Sequence, residues 1–109
     1  MDSIREIQDA LRQFTRERDW DQFHDAKNLA LAVGVEAAEL NEAFLWRKAE
    51  DASREKVAEE LADVFLCAFM LADKYAFSVR DICMAKLRKN AEKYPVDKAK
   101  GSARKYTEL

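Results

Sequence analysis

The chain has 109 residues, of which 49% are apolar and 37% charged, and its net charge is −2. This length suits one domain, and the scarcity of Gly (two) and Pro (one) favours helices over sheet, so an all-α fold is expected. The segment 86–105 holds eight basic and two acidic residues, a net of +6 that leaves −8 for the remainder, which excludes the broad positive face of a duplex-DNA binder.

The uneven charge suits a ligand that carries both a metal ion and phosphates, although a solvated helix face followed by a basic tail is the simpler alternative. Cys67 and Cys83 lie within apolar helical patterns, which predicts core residues in a reducing compartment rather than a disulfide. No N-terminal apolar run resembles a signal peptide, and no stretch predicts a membrane span. We therefore expect a cytoplasmic protein without a membrane partner.

The first two predicted helices differ in character. The helix over about 3–18 begins at a capping box formed by Ser3 and Glu6, and it carries one apolar stripe. A polar, aromatic segment follows and is interpreted as an ordered loop. The second helix, over about 25–47, is apolar on most of its sides, which predicts a central position in the assembly.

Two further helices complete the predicted fold. The third covers about 54–75 and the fourth about 78–94, where Pro95 ends it because proline cannot continue a helix. The tail 95–109 lacks helical periodicity and is predicted to be irregular. Four helices with short connections imply an antiparallel bundle, in a single domain over 1–109.

Acidic residues occupy positions of the second and third helices where apolar residues are expected. Glu36 and Glu39 lie three residues apart and therefore share one helix face, and Glu60 and Asp63 repeat that spacing. Antiparallel packing would let the two pairs meet across the seam. Two like charges about 5 Å apart repel by roughly 3 kcal/mol at an effective dielectric of about 20, so the cluster needs a cation.

The ligand type indicates which cation. Carboxylate oxygens without His or Cys select a hard ion, Mg²⁺ or as a substitute Mn²⁺, and Mg²⁺ leaves coordination positions for waters and substrate phosphates. A di-iron carboxylate site is excluded because it needs two Glu-x-x-His motifs, and the single His24 lies in a loop. The alternative is that Glu36 and Glu39 are surface residues paired with Lys or Arg.

This carboxylate pattern resembles the MazG-type all-α nucleoside triphosphate pyrophosphohydrolases. Their signature is Glu-x-x-Glu, an interval of a dozen to some thirty residues, and then Glu-x-x-Asp; here twenty residues separate Glu39 from Glu60. Within the superfamily the chain most resembles the dCTP pyrophosphatase branch, over nearly its full length. The likeness is carried by residues 17–24, 36–46, 59–64, 86, 90, 93–96 and 101–106.

The resemblance implies a bundle that dimerises and pairs further into a tetramer, and hydrolysis between the α- and β-phosphates. It implies that Mg²⁺ is bound by Glu36, Glu39, Glu60 and Asp63. Our own hypothesis is that Glu36 or Glu39 also orients or deprotonates the attacking water. Contacts to the phosphates or sugar would come from Lys86, Asn90, Lys93 and Tyr94. The base pocket would contain Trp20, His24 and Trp46. In one departure, animal relatives place a Tyr where this chain has Cys67.

Helical spacing supports the phosphate contacts independently. Lys86, Asn90 and Lys93 lie at i, i+4 and i+7, so one helix face offers three donors to a polyphosphate. The alternative for the two lysines is that they complement the helix macrodipole.

The aromatic assignments have alternatives of their own. Trp46 sits at the end of the predicted helix that carries the first acidic pair, and its indole could stack on a base whose phosphates reach the metal. Trp20 and Trp46 could equally be core or dimer contacts, and His24 could cap the second helix instead of donating to a base carbonyl.

The sequence therefore predicts a Mg²⁺-dependent nucleoside triphosphate pyrophosphohydrolase that prefers dCTP and cleanses the nucleotide pool. One alternative is a pyrophosphatase of broad specificity for noncanonical triphosphates. Another is a non-catalytic helical oligomer whose acidic seam binds a structural cation or a basic partner.

Overall fold

The computed structural model describes residues 2–109, which form helices and turns without a β-strand. The all-α prediction is confirmed. The helices are α1 (Ser3–Glu17), α2 (Ala26–Glu42), α3 (Arg54–Lys74), α4 (Val79–Lys93) and α5 (Val96–Ala99). Single 3₁₀ turns lie at Asp21–Phe23, Ala49–Asp51 and Tyr106–Glu108. None of the helices in this described part is both long and apolar enough to cross a membrane.

The N-cap of helix α1 lies one residue before the N-cap of the predicted capping box, while the helix itself begins at Ser3 as predicted. The Asp2 carboxylate accepts the Ile4 N–H at 2.9 Å, so Asp2 is the N-cap and Ser3 is already helical. The prediction of a capping box at Ser3 was wrong, because Asp and Ser are both favoured at the N-cap and the chain places them side by side. Helix α2 is capped in the same way by Asp25, which accepts the Asn28 N–H at 2.8 Å.

Helix α2 ends at Glu42, several residues before the predicted end near Arg47. The N–H groups of Ala43, Phe44 and Leu45 donate to carbonyls three residues back, so the last turn tightens. Trp46 then adopts φ +63°, in the left-handed region that an L-residue rarely enters. The sequence here contains no Gly or Pro, which is why the end could not be predicted.

The described residues fall into two compact units that divide between Ala76 and Phe77. In the first unit, α2 and α3 form the main interface and α1 packs on α3. The Gln8 side-chain amide of α1 donates a hydrogen bond to the Phe69 carbonyl of α3 at 3.1 Å. The Arg12 guanidinium of α1 donates one to the Asp73 carboxylate of α3 at 2.8 Å. Both partners advance by four residues, so α1 and α3 run in the same direction.

The second unit contains α4, α5 and the C-terminal turn. Ser78 caps α4 by accepting the Asp81 N–H at 3.2 Å. The segment predicted to be an irregular tail holds two short helical turns, α5 and Tyr106–Glu108. Whether the whole chain forms one domain stays a prediction.

The first unit buries few of its apolar side chains. Leu29, Ala43 and Ala72 are the buried apolar residues, although α2 and α3 are rich in Leu, Val and Phe. Within the first unit, many apolar side chains of α2 are therefore not enclosed, and its central position in the assembly stays a prediction. Both cysteines are free thiols, as predicted. Cys83 is exposed, so the prediction that it is a core residue was wrong.

Candidate functional site

The packing of α2 on α3 brings together carboxylates that are distant in the sequence. Glu36 of α2 and Glu60 and Asp63 of α3 each offer an oxygen, and these oxygens all lie within 4.8 Å of one another. We call these three residues the acidic cluster. The i, i+3 spacing on α3 presents Glu60 and Asp63 to the same side of the seam, as the sequence predicted.

The acidic cluster contains buried oxygens that lack donors. Glu60 is 8% exposed, and its Oε1 accepts the Lys56 ammonium at 2.7 Å. The Oε2 atoms of Glu60 and Glu36 are both buried and have no hydrogen-bond partner. A buried polar atom left unpaired is unfavourable by about 1–3 kcal/mol, so these oxygens are available to a cation.

The electrostatics of Glu36 reflect this crowding. Burial raises the pKa of Glu36 above its ordinary value, and a hydrogen bond with Glu39 and the charges of Glu39, Asp63 and Glu60 raise it further. Glu39 therefore adjoins the acidic cluster but is not one of its three members, and its side chain is exposed. The chemistry of the set, oxygen ligands with a surplus of negative charge, fits a hard divalent ion.

Two further side chains adjoin the acidic cluster. The sequence analysis did not identify Lys56 as a neighbour of the cluster. Its hydrogen bond with Glu60, followed by the charge of Glu60, raises the pKa of Lys56. The i, i+4 spacing of Lys56 and Glu60 on α3 was the available signal. Burial, together with the charges of Glu36 and Asp63, raises the pKa of the Cys67 thiol, so Cys67 faces the same region.

A cavity of about 330 Å³ lies farther along the same helix seam. Leu29 and Met70 line it, and each is seven residues from a member of the acidic cluster on its own helix. Seven residues correspond to about 10 Å of helix, so the cavity lies about two turns from the cluster. Residues of α1 and of the loop after it, including Arg12 and His24, complete the wall.

The three predicted base-pocket residues do not converge within this unit. Trp20 and His24 lie in the loop before α2, with ring centroids 6.4 Å apart, and His24 lines the cavity. Trp46 lies beyond the other end of α2, a helix of seventeen residues and therefore about 25 Å long. Its side chain is 99% exposed. Because Asp25 is the N-cap, the alternative that His24 caps α2 is wrong.

The predicted phosphate-binding residues lie in the second unit. Lys86 and Lys93 are exposed on α4, and Asn90 is half-buried. Tyr94 follows the helix and donates its N–H to the Asn90 carbonyl at 2.9 Å. Their roles in binding stay predictions.

The fold and the acidic cluster agree with one protein family. Residues 31–109 match the model of the MazG-like family, and this range includes all four predicted metal ligands. The chain belongs to the MazG-like family.

Particular relatives match over most of the chain. The bovine and human proteins named dCTP pyrophosphatase 1 are each 36% identical to it, over 98% of this chain and 68% of their own length. A crystal structure of a pyrophosphatase from Archaeoglobus fulgidus superposes with a TM-score of 0.80 at 33% identity, covering 87% of this chain and 94% of that one.

Proposed function

We propose that the chain is a Mg²⁺-dependent nucleoside triphosphate pyrophosphohydrolase that prefers dCTP and yields dCMP and pyrophosphate. The family and its pyrophosphatase relatives make it a hydrolase acting on nucleoside triphosphates. The observation that supports the metal-dependent mechanism is the acidic cluster, with its two buried, unpaired oxygens. Housecleaning of the nucleotide pool is the role that this activity would serve.

The residues that would hold Mg²⁺ are Glu36, Glu39, Glu60 and Asp63. When bound, Mg²⁺ neutralises phosphate oxygens and acidifies a coordinated water. Glu36 and Glu39 stand one turn apart, and one of them orients or deprotonates the attacking water. Lys56 holds Glu60 in place from the side by its 2.7 Å contact.

The cavity near His24 suits the nucleoside part of the substrate. Its volume of about 330 Å³ is within the range of small-ligand sites, and its distance of about 10 Å from the acidic cluster leaves room for phosphates between them. Leu29 and Met70 supply apolar contacts to a base, while His24 offers a polar group that could read its edge. We assign Lys86, Asn90, Lys93 and Tyr94 to the phosphates or sugar from the resemblance.

The exposed apolar surface of the first unit supports an oligomer of this chain, either a homodimer or a dimer of dimers. Each copy would form a four-helix bundle. Leu31 and Val35 of α2 are 59% and 56% exposed, and Phe65 of α3 is 49% exposed. Such side chains gain free energy by leaving water, at about 25 cal/mol per Å². A base pocket that uses both His24 and Trp46 also requires more than one copy, because the two lie at opposite ends of α2.

We also propose a cytoplasmic location, because a reducing compartment suits the free thiols of Cys67 and Cys83.

Light scattering tests the oligomer. We expect the wild type to elute at two or four times the chain mass of 12.6 kDa, and Leu31→Asp to shift it toward the monomer by placing a charge in the apolar face. Ala10→Asp is the matched control, since Ala10 is exposed on α1 outside that face. A monomeric wild type would contradict the proposal.

The activity is tested by the products formed from each deoxynucleoside triphosphate and from UTP, separated by chromatography. With Mg²⁺ we expect dCMP and pyrophosphate, at a kcat/KM at least about tenfold above the other substrates, a ratio that corresponds to about 1.4 kcal/mol. Chelation of Mg²⁺ should abolish the reaction. Formation of dCDP and phosphate, or no product at all, would disprove the proposed function, and equal rates for all bases would disprove the dCTP preference.

A further inference from the structure

In the second unit, the ring of Tyr106 contacts Lys93, the last residue of α4, and Tyr94, which follows it. Its centroid lies 5.9 Å from that of Tyr94, with the ring planes at 80°, an edge-to-face arrangement. The Lys93 ammonium lies 4.9 Å from the same centroid. This distance is within the range of a cation–π contact.

The aromatic contact restrains a lysine that has little else to hold it. Within residues 2–109, Lys93 has no carboxylate at ion-pair distance, so the ring of Tyr106 is the contact that orients its ammonium. A lysine side chain in water samples many rotamers, and fixing it beforehand removes that entropic penalty from binding. The side chain remains exposed, so the ammonium can still donate to an anion.

The adjacent backbone is also well defined. The Tyr94 N–H donates to the Asn90 carbonyl, and α5 begins directly after Pro95. Tyr106 is brought to this point by the C-terminal turn Tyr106–Glu108. The net charge of +6 over 86–105 makes the surroundings attractive to a polyanion.

We propose that Tyr106 is a positioning residue for polyphosphate binding, which holds Lys93 and Tyr94 in the orientation that contacts the substrate's phosphate chain. This inference rests on the proposed function, which assigns phosphate contacts to those two residues. Tyr106 itself need not touch the substrate, because it acts through the face and edge of its ring.

Calorimetric binding of inorganic tripolyphosphate to the full chain, in the presence of Mg²⁺, tests the inference without turnover. We expect Tyr106→Leu to weaken binding about threefold to fivefold, the range that an exposed cation–π contact supports. Tyr106→Phe should stay within about twofold of the wild type, because the ring remains. In a Lys93→Met background, Tyr106→Leu should weaken binding less than it does in the wild type, because only its contact with Tyr94 is left to lose.

A purely structural role predicts a different pattern, in which the loss caused by Tyr106→Leu is the same with and without Lys93. That result, or tripolyphosphate binding by Tyr106→Phe that is as weak as that by Tyr106→Leu, would overturn the inference, as would a wild type that does not bind tripolyphosphate.

If Tyr106→Leu fails to fold, the NMR chemical shifts of the Lys93 ε-protons test the contact instead. Their signals should be shifted upfield by the ring in the wild type and in Tyr106→Phe, and unshifted signals would refute the contact. Absence of dCTP hydrolysis would refute the proposed function alone.

Discussion

Glu60→Gln is expected to lower the rate of Mg²⁺-dependent pyrophosphate release at least about 100-fold, which corresponds to about 2.7 kcal/mol of transition-state stabilisation. Glu60 is the most buried of the acidic cluster, and its unpaired Oε2 is one of two buried oxygens offered to a cation. The amide carries no charge and so binds a hard ion more weakly. A calorimetric titration should show that Mg²⁺ binds the Glu60→Gln variant more weakly than the wild type.

Glu59→Gln is the matched control for this substitution. Glu59 adjoins Glu60 in the chain and loses the same charge on substitution, yet its side chain is exposed and lies outside the acidic cluster. We expect its activity and Mg²⁺ affinity to stay within about twofold of the wild type, because an exposed charge near a site contributes little. If Glu60→Gln retains activity comparable to Glu59→Gln, with circular dichroism showing both folded, the acidic cluster is not the catalytic metal site.

Glu36→Gln should make the metal-free protein more stable while it weakens metal binding. Burial, a hydrogen bond with Glu39 and the charges of Glu39, Asp63 and Glu60 raise the pKa of Glu36, so its charged form is disfavoured in the folded protein and the neutral amide avoids that penalty. We expect the free energy of unfolding to rise by about 1 kcal/mol, a shift of roughly 4–8 °C in Tm for a chain of this size. Saturating Mg²⁺ should reverse the order, because it stabilises only the protein that binds it.

The pH dependence of stability supplies a second readout for Glu36. Its pKa in the folded protein is raised above the ordinary 4.5, so the folded state binds the proton more tightly than the unfolded chain does. Relative to the Glu36→Gln variant, the metal-free wild type should therefore lose stability as pH rises from about 4.5 through the raised pKa. The Glu36→Gln variant lacks this change, and the two Tm curves should converge at low pH. Parallel curves across this window, at one protein concentration, would contradict the assignment.

Local sequence rules accounted for the helices and for the acidic spacing. Scarce Gly and Pro, together with the apolar periodicity, predicted an all-α chain, and the structure confirms it. The i, i+3 pairs followed from the helical repeat, since residues three apart share a face in any α-helix. Helix boundaries were less predictable, because α2 ends where Trp46 adopts a positive φ that no neighbouring residue signals.

What the sequence alone determined is which residue types are available and which of them share a helix face, because both depend on local geometry. The tertiary structure decided that Glu36 joins Glu60 and Asp63 while Glu39 stays beside them, and that Lys56 pairs with Glu60. Those facts depend on the rotation and register of α2 against α3, which many side-chain contacts set together. The same packing leaves apolar side chains of α2 and α3 exposed, which no single-helix pattern encodes.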